Sequence, residues 1–324
     1  MRRALLIVPL LASGCAARRT RCRHLVLLKS PYAGSTWFTD ELTKISGVHL
    51  IAQLFAGKDA GASSEAVREK MANVLRAPCA RAQSVAGFTQ NPTHSIVANL
   101  TGFDWRFLRE AKDVFFATWT RGNVVHRTFS QLSFDQSCHE HNTRSAAAQA
   151  RCQSATYAVD RGELLRELWK AACERAHILA LGEALARPGR AHDMLYEDFV
   201  GDDDGVLREL LRFLDLPTTD VDARRHSTIL KRSAQNVSSM LQNAGDVVGW
   251  LRGWNASLVD MLLDTTGARF DATPRHLCDQ LSEVQLREGA RDDATRARLR
   301  ALDAQLAVAT AAPHAPPPGE QALI

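Results

Sequence analysis

The chain has 324 residues, with 40 Lys and Arg against 36 Asp and Glu for a formal net charge of +4, and 45% of its residues are hydrophobic. That aliphatic content excludes disorder throughout, and the length suits one large domain with appendages. The near balance of charge, spread along the sequence, indicates no nucleic-acid scaffold and no nucleic-acid partner, while leaving room for a local basic pocket.

The N-terminus reads as a secretory signal peptide over residues 1–16. Met1-Arg2-Arg3 is the positive region, Ala4 to Leu11 the apolar one, and Ser13 to Ala17 supplies small residues before a mature start near Ala17. The apolar run falls short of the roughly 20 residues of a membrane span, and an uncleaved N-terminal anchor, attaching the chain to a membrane, is the second reading. A lipoprotein cleavage site at Cys15 is the third. Six further cysteines, Cys22, Cys79, Cys138, Cys152, Cys173 and Cys278, form an even set without zinc-type spacing. A luminal chain would oxidise some of them, and pairing Cys138 with Cys152 would close the polar loop between them; the alternative is six free thiols in a reducing compartment. Sequons at Asn99, Asn236 and Asn255 are compatible with secretion.

Further along, His24 to Leu28 is a short apolar run that reads as a buried strand, and Phe38 to Ile45 reads as the first turns of a helix. Between them lies K-S-P-Y-A-G-S-T-W, Lys29 to Trp37. Strand, small-residue loop and helix make an anion-binding arrangement, because the loop lets backbone N–H groups approach an oxyanion and the helix dipole points the same way. Val48 to Ala52 reads as a second strand, Ala66 to Arg76 as a helix, and Val85 to Gln90 as a strand stopped by Asn91-Pro92. A helix around Trp105 and Leu108 precedes Val114 to Trp119, the strongest strand signal in the chain. Strands alternating with helices predict an α/β domain with a central parallel sheet, whose ligands sit beyond the carboxyl ends of the strands.

That rule selects Thr120 to Ser130. Arg121 leaves the strand end where its guanidinium can grip an oxyanion, Ser130 lies on the next helix, and His126 is expected on that helix's surface. Residues 137–155 are polar and read as a lid or insertion, Arg161 to Leu185 as a long helix, and Met194 to Phe199 as a last strand and its exit. An acidic helix start at Asp202 to Asp204 follows, and Leu216-Pro217 stops that helix. In the basic segment from Asp220 to Gln242, Lys231 could fold back over an anion. Residues 287–324 read as a helical extension and a disordered Pro-rich tail. The domain proper is placed at residues 24–286.

Taken in order, P-Y-A-G-S-T-W-F (Pro31 to Phe38), G-F-T-Q-N-P (Gly87 to Pro92), T-R-G-N-V-V-H-R-T-F-S (Thr120 to Ser130), L-Y-E-D-F (Leu195 to Phe199) and F-L-D-L-P (Phe213 to Pro217) make the chain resemble the sulfotransferases that use 3′-phosphoadenosine 5′-phosphosulfate, particularly luminal, Golgi-type and algal members. The resemblance covers roughly residues 24 to 260. It implies a P-loop-like sulfotransferase fold, transfer of a sulfuryl group to a hydroxyl or amine of a secreted acceptor such as a carbohydrate, a Golgi-luminal or secreted location, and no metal. It also implies that Ala33, Gly34, Ser35, Thr36 and Trp37 hold the 5′-phosphosulfate, and Arg121 with Ser130 the 3′-phosphate. For the Trp37 ring, core packing is expected over adenine stacking.

Three residues depart from the family's pattern. Tyr32 stands where a loop Lys or Arg is usual, with Lys29 three residues earlier as the cation that could reach back. Gly122 falls where the usual Arg would, placing Arg121 one residue out of register. Gln53 stands where a Glu base is common. His94, just past the exit of the third strand, is the first candidate base, ahead of His49 and Asp104. A non-catalytic luminal protein that keeps the fold, with or without nucleotide binding, is the competing reading. A P-loop NTPase fits less well, because the loop lacks the G-K-[ST] ending.

Overall fold

The computed structural model describes residues 22–55, 61–77, 79, 85–93, 100, 103–111, 113–139, 145–224, 226–229, 237–266, 270, 274–289 and 292–311. The expected signal peptide, the Pro-rich tail, His94, Lys231, Asn99 and Asn236 lie outside them.

Five strands, β1 (Arg23–Lys29), β2 (Val48–Ile51), β3 (Val85–Gln90), β4 (Val114–Thr120) and β5 (Ala191–Leu195), pair in the order β2-β3-β1-β4-β5, and every pairing is parallel. Among the described residues they alternate with twelve α-helices. The first six are α1 (Ser35–Leu42), α2 (Ser64–Arg76), α3 (Arg106–Glu110), α4 (Val124–Gln136), α5 (Ala146–Ser154) and α6 (Arg161–Leu185). The others are α7 (Tyr196–Gly201), α8 (Asp203–Phe213), α9 (Ala244–Trp254), α10 (Ala256–Leu263), α11 (Pro274–Arg287) and α12 (Asp293–Thr310). The expected α/β domain with a parallel central sheet is therefore the observed one.

Both faces of the sheet are covered, which is why its central strands are apolar on both sides. Leu25, Leu27, Phe115, Ala117 and Trp119 pack under α1 and α8, while Val26, Leu28, Phe88 and Phe116 pack under α2, α6 and α12. The chain moves from β1 outward to β2, returns to β3, then crosses to β4 on the far side of β1. The loops leaving β1 and β4 consequently diverge to opposite faces, and ligands of such sheets bind in the crevice this opens at the carboxyl edge.

Two local readings are corrected. The strand and exit expected over Met194 to Phe199 begin earlier, as β5 runs Ala191–Leu195, and the exit Tyr196–Gly201 is helical. The turn lets Glu197 reach back to the β4–α4 loop, where its carboxylate oxygens accept from the amides of Gly122 and Asn123 at 2.9 and 3.1 Å. His126 is buried rather than on the surface, because α10 docks over α4: Asn123 Nδ2 donates to the Met261 carbonyl at 2.8 Å, and the His126 ring lies 3.4 Å from the Leu262 carbonyl. The helix of the C-terminal extension also packs back onto the domain. In α12, Gln305 Oε1 accepts from the buried Trp105 indole at 3.1 Å, and Leu302 and Ala309 are fully enclosed.

Three disulfides join Cys22 to Cys79, Cys138 to Cys152 and Cys173 to Cys278. The second is the pairing expected to close the polar loop, whose described part is largely α5. The third ties α6 to α11. Such bonds belong to oxidising compartments, and no helix of the described residues is long and apolar enough to cross a membrane. At the third sequon, Asn255 Oδ1 caps α10 through the Ser257 amide at 2.9 Å while Nδ2 donates to Gln280 at 2.7 Å, so a glycan there would displace an existing hydrogen bond.

The Cys173–Cys278 bond closes a loop of 105 residues. Replacing both cysteines with Ala is expected to cost about 2–5 kcal/mol, read as a lower urea midpoint at pH 7. An unchanged midpoint would mean that these two thiols are unpaired in the folded protein.

Candidate functional site

The loop between β1 and α1 is held by its carbonyls. Arg127 Nε donates to the Pro31 carbonyl at 3.0 Å, and the Trp119 indole donates to the Ala33 carbonyl at 2.6 Å. In a planar trans peptide the C=O and the following N–H point opposite ways. Drawing these two oxygens into the protein turns the amides of Tyr32 and Gly34 outward. Gly34 is the N-cap of α1 with φ +68, no side chain caps the helix, and its first turn carries no acid. The free amides of Ser35, Thr36 and Trp37 are therefore left to an outside anion.

Gly34 is fixed by more than its dihedral. A Cβ there would stand 2.6 Å from Cε2 of the buried Tyr196 ring. On its other side that ring carries the Arg121 guanidinium, 4.5 Å from the centroid. Burial pushes the Tyr196 hydroxyl pKa up, against the pull of Arg121. Tyr196 thus spaces the two loops that the motifs single out.

Lys29 ends β1 directly below the loop and is only 7% exposed. Its ammonium meets no partner among the described residues, and burial lowers its pKa from 10.5 to about 8. Two more polar groups are orphaned nearby. Gln90 Oε1, at the end of β3, and Thr120 Oγ1, at the end of β4, are buried without a hydrogen bond. The strand register places Gln90 beside Leu28, and Thr120 two residues beyond Leu28's other neighbour, Thr118. Buried polar groups nearly always find partners. By strand alternation Gln90 and Thr120 face the Leu28 side of the sheet and Lys29 the Trp119 side, so the three groups share the carboxyl edge but lie on opposite faces.

At the second loop the arrangement differs. Arg121 is 6% exposed with its Nε 3.7 Å from Glu197 Oε1, too far for a hydrogen bond, and that Nε is unsatisfied. The niche at the start of α4 already holds the Glu197 carboxylate. Ser130 sits in the second turn of α4, partly exposed. Trp37 packs edge-on against Phe199, with centroids 4.8 Å apart, as expected for a core role of its ring. Ala33 and Ser35 are buried and Thr36 is exposed. Of the alternative bases, His49 is exposed on the edge strand and Asp104 is held by Arg106 at 2.8 Å. Gln53 is exposed at φ +64, with its amide bonded to Thr89 Oγ1.

Nothing in the sequence pattern marks the support beneath the loop. Arg127 is 1% exposed and, besides Pro31, binds Glu174 of α6, whose second oxygen accepts from Arg298 of α12 at 3.0 Å. Burial alone would raise the Glu174 pKa, but Arg127, Arg298 and Lys170 hold it below the ordinary carboxylate value. One turn on, His177 is enclosed with neither ring nitrogen bonded, and burial lowers its pKa to about 4, so it stays neutral near pH 7. A third cluster, Glu41, Asp203 and His226, gathers ligand-type atoms within 4.8 Å. The Arg224 guanidinium already lies against Glu41 at 3.1 Å and Asp203 at 2.6 Å, which makes this an ion cluster that ties α1 to α8.

No family model and no curated protein matches the chain. Among solved structures the chain is similar to the sulfotransferase from Alicyclobacillus acidocaldarius, at 13% identity and a TM-score of 0.40 over 74% of this chain and 95% of that one. It is also similar to the sulfotransferase domain from the curacin biosynthetic pathway, at 13% identity and a TM-score of 0.36 over 82% of this chain and 98% of that one.

Two outcomes follow. Gly34→Ala is expected to lower stability by at least about 1–2 kcal/mol through the left-handed backbone alone, with the Tyr196 overlap in addition, measured by urea denaturation. For Lys29, the unfolded chain binds more protons than the folded one between about pH 8 and 10.5, so stability rises with pH across that window and the cost of burying the charge is fully present below it. Lys29→Met is therefore expected to stabilise the free protein at pH 7 by about 1–3 kcal/mol. That gain should shrink towards zero by pH 10.5 in paired denaturation curves.

Proposed function

We propose that the protein transfers a sulfuryl group from 3′-phosphoadenosine 5′-phosphosulfate to a hydroxyl or amine of a secreted acceptor, with carbohydrate as the favoured class. The observation that carries this reading is the Lys29 ammonium, buried and without a partner among the described residues at the end of the strand that leads into the uncapped first turn of α1. An anion bound there would supply the partner that Lys29 lacks and the acceptors that the loop amides lack.

In the transfer, an acceptor oxygen or nitrogen attacks sulfur in line. The bond from sulfur to the bridging phosphate oxygen breaks, and its electron pair leaves with adenosine 3′,5′-bisphosphate. The amides of Ser35, Thr36 and Trp37 with Lys29 would stabilise charge on the sulfuryl and bridging oxygens, Lys29 thereby replacing the cation that Tyr32 does not supply. The acceptor's proton goes to a base, for which His94 remains the candidate. Arg121, through its unsatisfied Nε, with Ser130 and Lys231 would bind the 3′-phosphate. The disulfides support a secretory location, and the Golgi lumen is the proposed one.

One observation favours a second reading. The Arg121 charge is already balanced by Glu197, as in a protein that keeps the nucleotide pocket without turnover.

With sulfur-labelled donor and a panel of saccharide, phenol and amine acceptors, label is expected to move to at least one acceptor and to be blocked by adenosine 3′,5′-bisphosphate. Lys29→Met should lower kcat/KM by about 10²–10³-fold, the loss typical of removing one group that stabilises developing charge. Calorimetric binding of the bisphosphate without label transfer would establish the non-catalytic reading, and no binding at all would defeat both.

A further inference from the structure

A cavity of about 250 Å³ lies away from the β1–α1 loop, lined by Arg161 at the start of α6, by Gly249, Trp250, Gly253 and Trp254 of α9, and by Arg287 and Glu288 at the end of α11. Arg161 precedes Glu174, the loop's anchor on α6, by thirteen residues, about 20 Å along the helix. The cavity is smaller than the ~300–1,000 Å³ pockets that enclose a whole drug-sized ligand, so it suits one ring of a longer chain.

Its walls are fixed. The Glu288 carboxylate accepts from Arg161 at 3.0 and 2.5 Å and from the Trp254 indole at 2.8 Å, and the Arg161 guanidinium lies 6.0 Å from the Trp254 ring centroid. Glu288 is thereby committed to the wall, and Arg287 is left as the exposed charge at the cavity's edge. Two guanidiniums against one carboxylate give the lining a net positive charge. Trp250 is half-buried against the helical core, with Gly249 and Gly253 exposed beside it. Nothing lies within 4 Å of where a Cβ would stand on either glycine, so no packing within the chain requires glycine there. Glycine inside a helix costs stability, and here it leaves the space next to the two indoles open.

We propose that this cavity is a docking site for one uronate ring of an acidic saccharide, separate from the transfer site and independent of the transfer reading. An indole face suits the C–H face of a pyranose, the edges of Arg161 and Glu288 suit its hydroxyls, and Arg287 pairs with the carboxylate in bidentate fashion. The excess positive charge disfavours a cationic ligand.

The test is calorimetric titration of the full chain with a hyaluronan hexasaccharide, which alternates glucuronate and N-acetylglucosamine, against neutral chitohexaose. The uronate-bearing chain is expected to bind at least about tenfold tighter, and Arg287→Gln to abolish that preference. Trp250→Ala should weaken binding by about tenfold or more. Because that change could disturb the core, Gly253→Gln serves as the second variant: it adds a better helix former, should keep the thermal midpoint, and should lose binding by filling the cavity. The proposal is overturned if the wild type binds neither saccharide, if the two bind equally, or if Gly253→Gln binds as the wild type does. Binding to phosphatidylserine vesicles that Gly253→Gln abolishes, without saccharide binding, would assign the cavity to a lipid surface and overturn it as well.

Discussion

The Arg127 guanidinium is the point on which the anion loop depends. Through one nitrogen it fixes the Pro31 carbonyl, and through another it meets Glu174, which Arg298 holds from the other side. The loop after β1 is thus tied to α4, α6 and α12 by one buried group. Breaking a buried pair of this kind costs about 3–5 kcal/mol, because the remaining charge is left without compensation. The loop has no side-chain cap of its own, and its outward amides persist because this frame and the Trp119 indole hold the carbonyls the other way. The C-terminal helix, which looks peripheral in the sequence, supplies one arm of the frame.

The two turns at the carboxyl edge resolve their electrostatics in opposite ways. After β4, the start of α4 receives Glu197, so the amides of Gly122 and Asn123 are satisfied within the chain. After β1, the start of α1 has no side-chain cap, and Lys29 at the strand end is buried without a counter-charge among the described residues. A fold selected for stability alone would neutralise the second as it did the first. Unfavourable burial of this sort concentrates where a ligand completes the structure. The asymmetry separates a turn satisfied within the chain from the one assigned to binding in the proposed function, although in sequence both read as strand, small residues and helix.

Much of the framework was legible. Four of the five strands were marked by apolar runs between turn residues, and the loop by its small residues; β5 (Ala191–Leu195), polar and mostly exposed, was caught only at its end. The long α6 was marked by leucines at helical spacing, and the Cys138–Cys152 pairing by the polar segment it closes. What was not legible arises from contacts distant in sequence. Tyr196 and Glu197 read as the end of a strand because an aromatic residue followed by an acid fits that pattern; only the proximity of Gly34, Arg121 and Gly122 turns them inward. His126 carried no sign that α10 would cover it. Lys29 was legible as a cation near the loop but its burial was not, since desolvation depends on what packs above the residue and not on its neighbours in the chain. Glu174, amid the leucines of α6, needed Arg127 and Arg298 to give it meaning.

The placement of Tyr32 bears on where the proposed site would draw its cation. Its backbone is in the left-handed region at φ +55, and its ring lies 6.0 Å from Phe134 of α4. The side chain is therefore engaged with the next helix, while the amide beside it faces outward. A lysine there would trade an aromatic contact for a long, mobile chain that must turn back over the loop, with the rotamer entropy that ordering such a chain costs. Lys29 is already buried at the end of β1, so on the proposed reading little further ordering would be needed to meet an anion at the loop. A poorly solvated charge attracts an anion more strongly than one in water, which on that reading offsets the lack of a cation at Tyr32.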